Sequence, residues 1–148
     1  MKATDLRIAL FSGNYNYVRD GANQALNRLV GHLLAQGCQV RVYSPTLPNP
    51  AFPPTGDLLD VPAFAIPTRK EYRVARGLPA KVRRDLDAFA PNMVHVSAPD
   101  ILGHRAVSYA RDKGIPVVAS VHTRFETYLA YYGLGFLEPG AVALLRRF

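Results

Sequence analysis

The chain has 148 residues, 49% of them hydrophobic and 20% charged, and carries a formal net charge of +7. That length suits one domain with a real core and leaves no room for two. The apolar runs, such as Ile8 to Phe11 and Val117 to Ala119, are too short to cross a bilayer, and the single cysteine, Cys38, excludes an intramolecular disulfide. Cys38 reads as a small buried residue at the start of a strand. The residues after Lys2 and Asp5 lack the apolar stretch of a secretory leader, so a cytoplasmic setting is expected.

Arg7 to Ser12 is a nearly continuous apolar run and predicts a strand buried on both faces. Gly13 to Gly21 is polar and turn-rich. Ala22, Ala25, Leu26, Leu29, Val30, Leu33 and Leu34 then recur at helical spacing, and Gly37 stands where a helix C′ glycine belongs. Gln39 to Tyr43 alternates and is β-branched, which predicts a second strand and completes a βαβ unit. Five prolines between Pro45 and Pro54 place a surface loop over Ser44 to Thr55. Val61 to Ile66 is a candidate short strand. A helix is expected from Pro79 to about Ala90, with Val82, Leu86 and Phe89 on one stripe. Met93 to Ser97 predicts a buried strand, and Asp100 opens a helix that closes at Lys113 and Gly114. Pro116 to Val121 is the next strand. Strands alternating with helices in this way predict an α/β fold with a doubly wound parallel sheet.

Ligands in such sheets bind beyond the carboxyl ends of the strands. That rule selects Gly13 to Gly21, Ser97 to Asp100 and His122 to Thr127. In the first, Gly21 and Ala22 stand at a helix start, where free amides and the helix dipole suit a diphosphate. An ordinary capping turn is the plainer reading. Gly13 and Gly21 are too far apart for the dinucleotide fingerprint, and no P-loop pair follows. In the second, His95 alternates with Val94 and Val96 and reads as a satisfied strand histidine. Asp100 reads as an N-cap, and His104 as a surface or packing residue. The third concentrates an imidazole, a hydroxyl, a guanidinium and a carboxylate at one strand end. His122 is its candidate catalytic group, followed by Arg124 and the tyrosines Tyr128, Tyr131 and Tyr132. The alternative is a loop histidine among capping residues. No histidine has a partner at metal-ligand spacing, so no metal site is expected. A G-x-S-x-G nucleophile elbow is also missing.

Charge is uneven. Between Arg69 and Asp87 lie seven basic residues (Arg69, Lys70, Arg73, Arg76, Lys81, Arg83, Arg84) against three acids. Such a stretch suits an anionic membrane surface or phosphates, or is simply a solvated helix face. Nucleic acid is disfavoured, because no recognition motif or interleaved aromatic pattern accompanies it.

Three stretches carry a resemblance: RIALFSGNYNYVRDGANQALNRLVGHLLAQGCQVRVYSP, APNMVHVSAPDILGHRAV and VVASVHTRFETYLAYYGLGFLEP, with EYR at Glu71 to Arg73. In this order they resemble retaining glycosyltransferases of family 4, of GT-B fold, nearest its bacterial α-mannosyltransferase-like and lipid-glycosylating branch. The resemblance implies that Gly21 lies by the donor diphosphate and His122 near the reacting sugar. It implies that Glu71, Tyr72, Arg73, Tyr128 and Tyr132 shape the acceptor side. Residues 1–148 would be the N-terminal Rossmann-like, acceptor-side domain. The C-terminal nucleotide-sugar domain of the GT-B fold has no counterpart here, and Leu144 to Phe148 ends in mid-pattern of a helix. The expected activity is hexose transfer, with mannose a candidate, from a UDP- or GDP-sugar to a lipid or saccharide hydroxyl with retention. No cofactor or essential metal is expected, the isolated piece should be inactive, and a peripheral place on the inner membrane face is in keeping. The rival readings are a non-catalytic α/β ligand-binding or regulatory module and a Rossmann oxidoreductase. The first lacks clustered acids or a hydroxyl-rich phosphate loop, the second its glycine fingerprint.

Overall fold

A computed structural model describes residues 1–120, 122 and 135–147. Among the described residues, five strands form one sheet in the order β3 (Asp57–Asp60), β2 (Gln39–Ser44), β1 (Arg7–Phe11), β6 (Met93–Val96), β7 (Val117–Ala119), and β4 (Ala63–Ile66) and β5 (Arg69–Ala75) form a separate two-stranded ribbon. The main sheet is parallel throughout: β1 pairs with β2 on one side and β6 on the other. The strand β3 continues beyond β2, and β7 beyond β6. This is the α/β, Rossmann-like sheet that the alternation of elements predicts.

The two faces of β1 explain its apolar run. Ile8 and Leu10 pack with Leu26 and Val30 of helix α1 (Gly21–Ala35) and with Val40 and Val42. Ala9 and Phe11 face the opposite layer, built from α2 (Ala80–Phe89) and α3 (Ile101–Lys113) through Val82, Leu86, Leu102 and Ala106. Period-two alternation thus sends neighbouring residues into two different cores. Helix ends fall where the local chemistry puts them. Asp20 and Asn23 cap α1 reciprocally, Asp100 caps α3, and Gly37 and Gly114 follow α1 and α3 with φ of +87° and +67°. A final helix, α4 (Glu138–Arg147), follows a short 3-10 turn at Gly135–Leu137.

One strand is additional and three expectations are corrected. First, Asp57–Asp60, for which the sequence predicts no element, is a strand. Its two leucines are flanked by acids, and its pairing comes from β2, with Arg41 opposite Asp57 and ion-paired to it at 2.9 Å. Second, the basic stretch is not one helix face. Arg69, Lys70 and Arg73 lie on β5 (Arg69–Ala75), which pairs antiparallel with β4 (Ala63–Ile66), while Lys81, Arg83 and Arg84 lie on α2. Long charged side chains mask the alternation of a ribbon strand, whose partner is supplied by the hairpin. Third, Leu29 and Leu34 are exposed, and α1 instead turns Asn23 and Asn27 inward beside Leu26 and Val30. Fourth, β7 is shorter than expected and its residues are exposed.

The α2–sheet contact is the best test of this packing. Leu86 is fully buried among Phe11, Tyr43 and Val94 in one core. Leu86→Ala is expected to cost about 2–5 kcal/mol, read as a lowered denaturant midpoint with an unchanged slope.

Candidate functional site

The strand order reverses between β1 and β6: from β1 the chain moves to β2 on one side, from β6 to β7 on the other. With α1 on one face and α3 on the other, the loops leaving β1 and β6 diverge and open a crevice between them. A cleft of about 730 Å³ lies there. Ser12, Gly13 and Asn14 line it from the β1 end, Ser97 and Asp100 from the β6 end, and Gly21 and Ala22 from the start of α1. Tyr72 and Arg73 of the ribbon and His122 complete its walls. Of the residues singled out from sequence, Gly21, Ala22, Tyr72, Arg73 and His122 therefore meet in one space. Glu71 is exposed and ion-paired with Arg69 at 3.0 Å, and it is not among the described lining residues. Arg124, Tyr128 and Tyr132 lie outside the described residues.

Two loops are tied down by polar side chains that periodicity alone does not reveal. The Asn27 amide donates to the Tyr15 carbonyl at 2.9 Å, and its oxygen accepts from the Thr55 amide at 2.9 Å. Asn23 donates to the Val18 carbonyl. The Tyr15 hydroxyl donates to the Thr55 carbonyl at 2.7 Å. These bonds satisfy backbone groups of a buried loop that has no ladder of its own. Tyr17 does the same between layers. Its hydroxyl donates to the Gly13 carbonyl at 2.7 Å and accepts from the Arg73 amide at 3.2 Å, pinning the ribbon over the mouth of β1. Burial raises the Tyr17 phenol above its ordinary value, so it stays a neutral donor.

Ser12 and Ser97 prolong the ladders by one residue, their amides donating to the Tyr43 and Phe11 carbonyls at 3.1 and 3.0 Å. At Gly13 the two loops come close: a Cβ there would stand 2.5 Å from Asp100 Oδ2. The missing side chain lets the Asp100 carboxylate reach across from the second loop. Its other oxygen accepts from the Gly103 amide at 2.7 Å, as the N-cap reading requires. His95 is buried, its Nε2 2.8 Å from the Ser120 hydroxyl. Burial, then the nearby His122, lowers its pKa and keeps it neutral at physiological pH. His95 is thus the satisfied strand histidine expected, whereas His122 is exposed at the cleft.

Charge in the cleft is mixed. Asp20 and Asp100 are both engaged as helix caps. Arg73 is the one Lys or Arg among the described lining residues, and its Nε is buried without a hydrogen-bond partner among the described residues. A buried donor of this kind is costly to leave unmatched, so it favours a ligand oxygen at that point. Among the described residues, no group of three His, Cys, Asp or Glu is placed to hold a metal ion.

Asp100 makes a prediction about pH. Burial raises its carboxyl above the ordinary 3.8, outweighing the amides that hold its charged form. Folding therefore favours the protonated acid, a stability fully present below the unfolded pKa and lost as pH rises through the folded one. Asp100→Asn keeps a capping oxygen but removes this titration. Wild-type stability relative to the variant should fall between about pH 3.5 and pH 7, as measured by urea unfolding at both.

The model of Glycosyltransferase Family 4 matches residues 19–148. The chain is 29% identical over 147 residues to a GDP-mannose-dependent alpha-mannosyltransferase of Mycolicibacterium smegmatis, covering 95% of this chain and 39% of that protein. A protein of the same name from Mycobacterium tuberculosis is 27% identical over 146 residues, covering 95% and 38%. An alpha-monoglucosyldiacylglycerol synthase of Streptococcus pneumoniae is 26% identical over 144 residues, covering 96% and 32%. The chain spans about a third to two fifths of the length of these relatives. With the family model covering most of its residues and a parallel α/β sheet beneath the match, the chain belongs to glycosyltransferase family 4.

Proposed function

We propose that this chain is the N-terminal, acceptor-side domain of a retaining hexosyltransferase. The whole protein would move a hexose, mannose first among the candidates, from a UDP- or GDP-sugar to an acceptor hydroxyl. The single observation that carries this reading is the cleft at the strand-order reversal, where Gly21, Ala22, Arg73 and His122 meet. The names of the relatives supply the sugar chemistry: two are GDP-mannose-dependent alpha-mannosyltransferases, and two others alpha-monoglucosyldiacylglycerol synthases.

In this reading the donor diphosphate meets the first amides of α1. Asp20 already holds the Asn23 amide at 2.8 Å, so a diphosphate would share this helix end with a carboxylate. The amides of Gly21 and Ala22 would hold it by directed hydrogen bonds rather than by net charge. His122, exposed at the cleft, would hold a hydroxyl of the transferred sugar near the reacting carbon. Arg73 and Tyr72 would shape the acceptor side, with Arg124, Tyr128 and Tyr132 as further candidates there. Rate enhancement would come mostly from positioning and from stabilising the departing diphosphate. No essential metal enters this scheme.

The acceptor is proposed to be a lipid or a saccharide, and the protein a cytoplasmic one, peripheral at the inner membrane face. No described helix is long and apolar enough to cross a membrane. The nucleotide-sugar domain of the GT-B fold would be a separate unit, so this domain alone should turn over nothing.

The test is sugar transfer by the full-length protein, supplied with UDP- and GDP-hexoses and a membrane-lipid extract. Wild type should transfer one of them, and His122→Ala should lower the rate by about 100-fold or more while its circular dichroism is unchanged. Equal rates would remove His122 from the site but keep the transferase. Absence of transfer from every donor would overturn the proposal.

A further inference from the structure

A second cavity, of about 580 Å³, lies between the end of the ribbon and the helices α2 and α3. It shares no lining residue with the cleft at the strand ends. Arg105, Ser108, Tyr109 and Asp112 line it from α3, and their spacing of three, four and seven residues puts them on one helix face. Arg83 reaches it from α2, and Arg76 from the residue after β5. Three guanidinium groups, from α2, α3 and the residue after β5, thus line one space, opposed by a single carboxylate among the described lining residues.

Each arginine lies against an aromatic ring or bare backbone. The Arg83 guanidinium lies 5.7 Å from the centre of the Tyr109 ring, and that of Arg76 lies 5.8 Å from the Phe64 ring. Tyr109 is itself buried, its hydroxyl committed to Asp87 at 2.8 Å, so the ring is a fixed support. Arg105 lies over Gly77, whose φ is +115°. A Cβ on Gly77 would meet Arg105 Cγ at 3.4 Å, and its absence leaves room for the stem to rest on bare backbone. Among the described residues, none of the three makes an ion pair with an acid. All three arginines are exposed, so their forked N–H groups are open to an anion, with the buried Tyr109 ring as the fixed support beneath Arg83.

We infer that this cavity binds a phosphate group, as a mono- or diester. Several terminal oxygens and up to two charges suit three converging donors, whereas one carboxylate would satisfy a single fork and leave two cations facing each other. The phosphate arrives either on a lipid headgroup or on a soluble molecule. This inference does not depend on the function proposed for the cleft.

The experiment sets the cavity against a diffuse basic surface by using a charge-matched control. Arg84 is exposed on α2 but does not line the cavity. Full-length wild type, Arg105→Ala, Arg105→Lys and Arg84→Ala would be titrated at about 0.15 M salt. The probes are inorganic phosphate, glycerol 3-phosphate, and phosphatidylcholine vesicles with and without a third of phosphatidylglycerol. Binding would be read by amide chemical shifts for the small molecules and by co-sedimentation for the vesicles. Arg105→Ala should weaken binding of at least one phosphate probe by tenfold or more, Arg105→Lys by less, and Arg84→Ala by under twofold. Wild-type shifts should centre on Gly77 and Arg105. Arg105-dependent binding of vesicles alone assigns a headgroup, and of glycerol 3-phosphate or inorganic phosphate a soluble ligand. Equal losses in the two alanine variants, shifts confined to Gly21 and Ala22, or no binding of any probe would each overturn the inference.

Discussion

Everything in this domain hangs from a five-residue strand that is buried on both faces. Ile8 and Leu10 demand one apolar layer and Ala9 and Phe11 another, so helices must cover both sides of the sheet. A parallel sheet meets that demand through crossover connections of a single hand. The chain that leaves β1 must then cross by one face, and the chain that leaves β6 by the other. The two loops part where the strands end, and the cleft is the space they leave. Its position is a consequence of how the core is covered, before any ligand chemistry is considered.

What the loops do with that space depends on hydrogen bonds rather than on apolar burial. The segment from Gly13 to Asp20 carries no regular structure, yet Tyr15, Asn16 and Tyr17 are buried in it. It keeps one shape because Asn23 and Asn27 reach out of α1 to its carbonyls and Tyr17 bridges it to the ribbon. The same bridge sets Arg73 above the cleft. Two carboxylates nearby, those of Asp20 and Asp100, are committed to amides at helix starts. The guanidinium of Arg73 is thus the cleft's one basic side chain among the described residues. The mixture fits a site that grips a polar ligand by directed bonds more than by bulk charge.

Much of this architecture is legible in the residues themselves. The run at β1 is apolar because both faces are covered, while β2 and β6 interleave apolar residues with Arg41 and His95, and local pattern reports each of them directly. Gly37, Asp100 and Gly114 mark helix ends because capping is a matter of a few adjacent atoms. Gly21 and His122 fall at strand ends by simple counting along the chain, which is why the cleft can be anticipated. The match to family 4 covers residues 19–148 and so takes in β2, β6, Gly21 and His122.

The rest needed the fold. The strand at Asp57–Asp60 has little pattern of its own, and its pairing with β2 is a non-local event. The stretch from Arg69 to Ala75 looks like a charged surface of any kind until β4 folds back against it. Asn23 and Asn27 look like ordinary polar helix positions; only the loop packed over them makes them structural. The sequence by itself determined the class of fold, the helix boundaries and the end of the sheet where the cleft opens, since these follow from periodicity and local capping. Only the tertiary structure decided which side chains share a space, whether Arg73 with Gly21 and His122, or Arg76 with Arg83 and Arg105. Those meetings depend on strand order and on the ribbon's docking, and both are contacts between residues far apart in the chain.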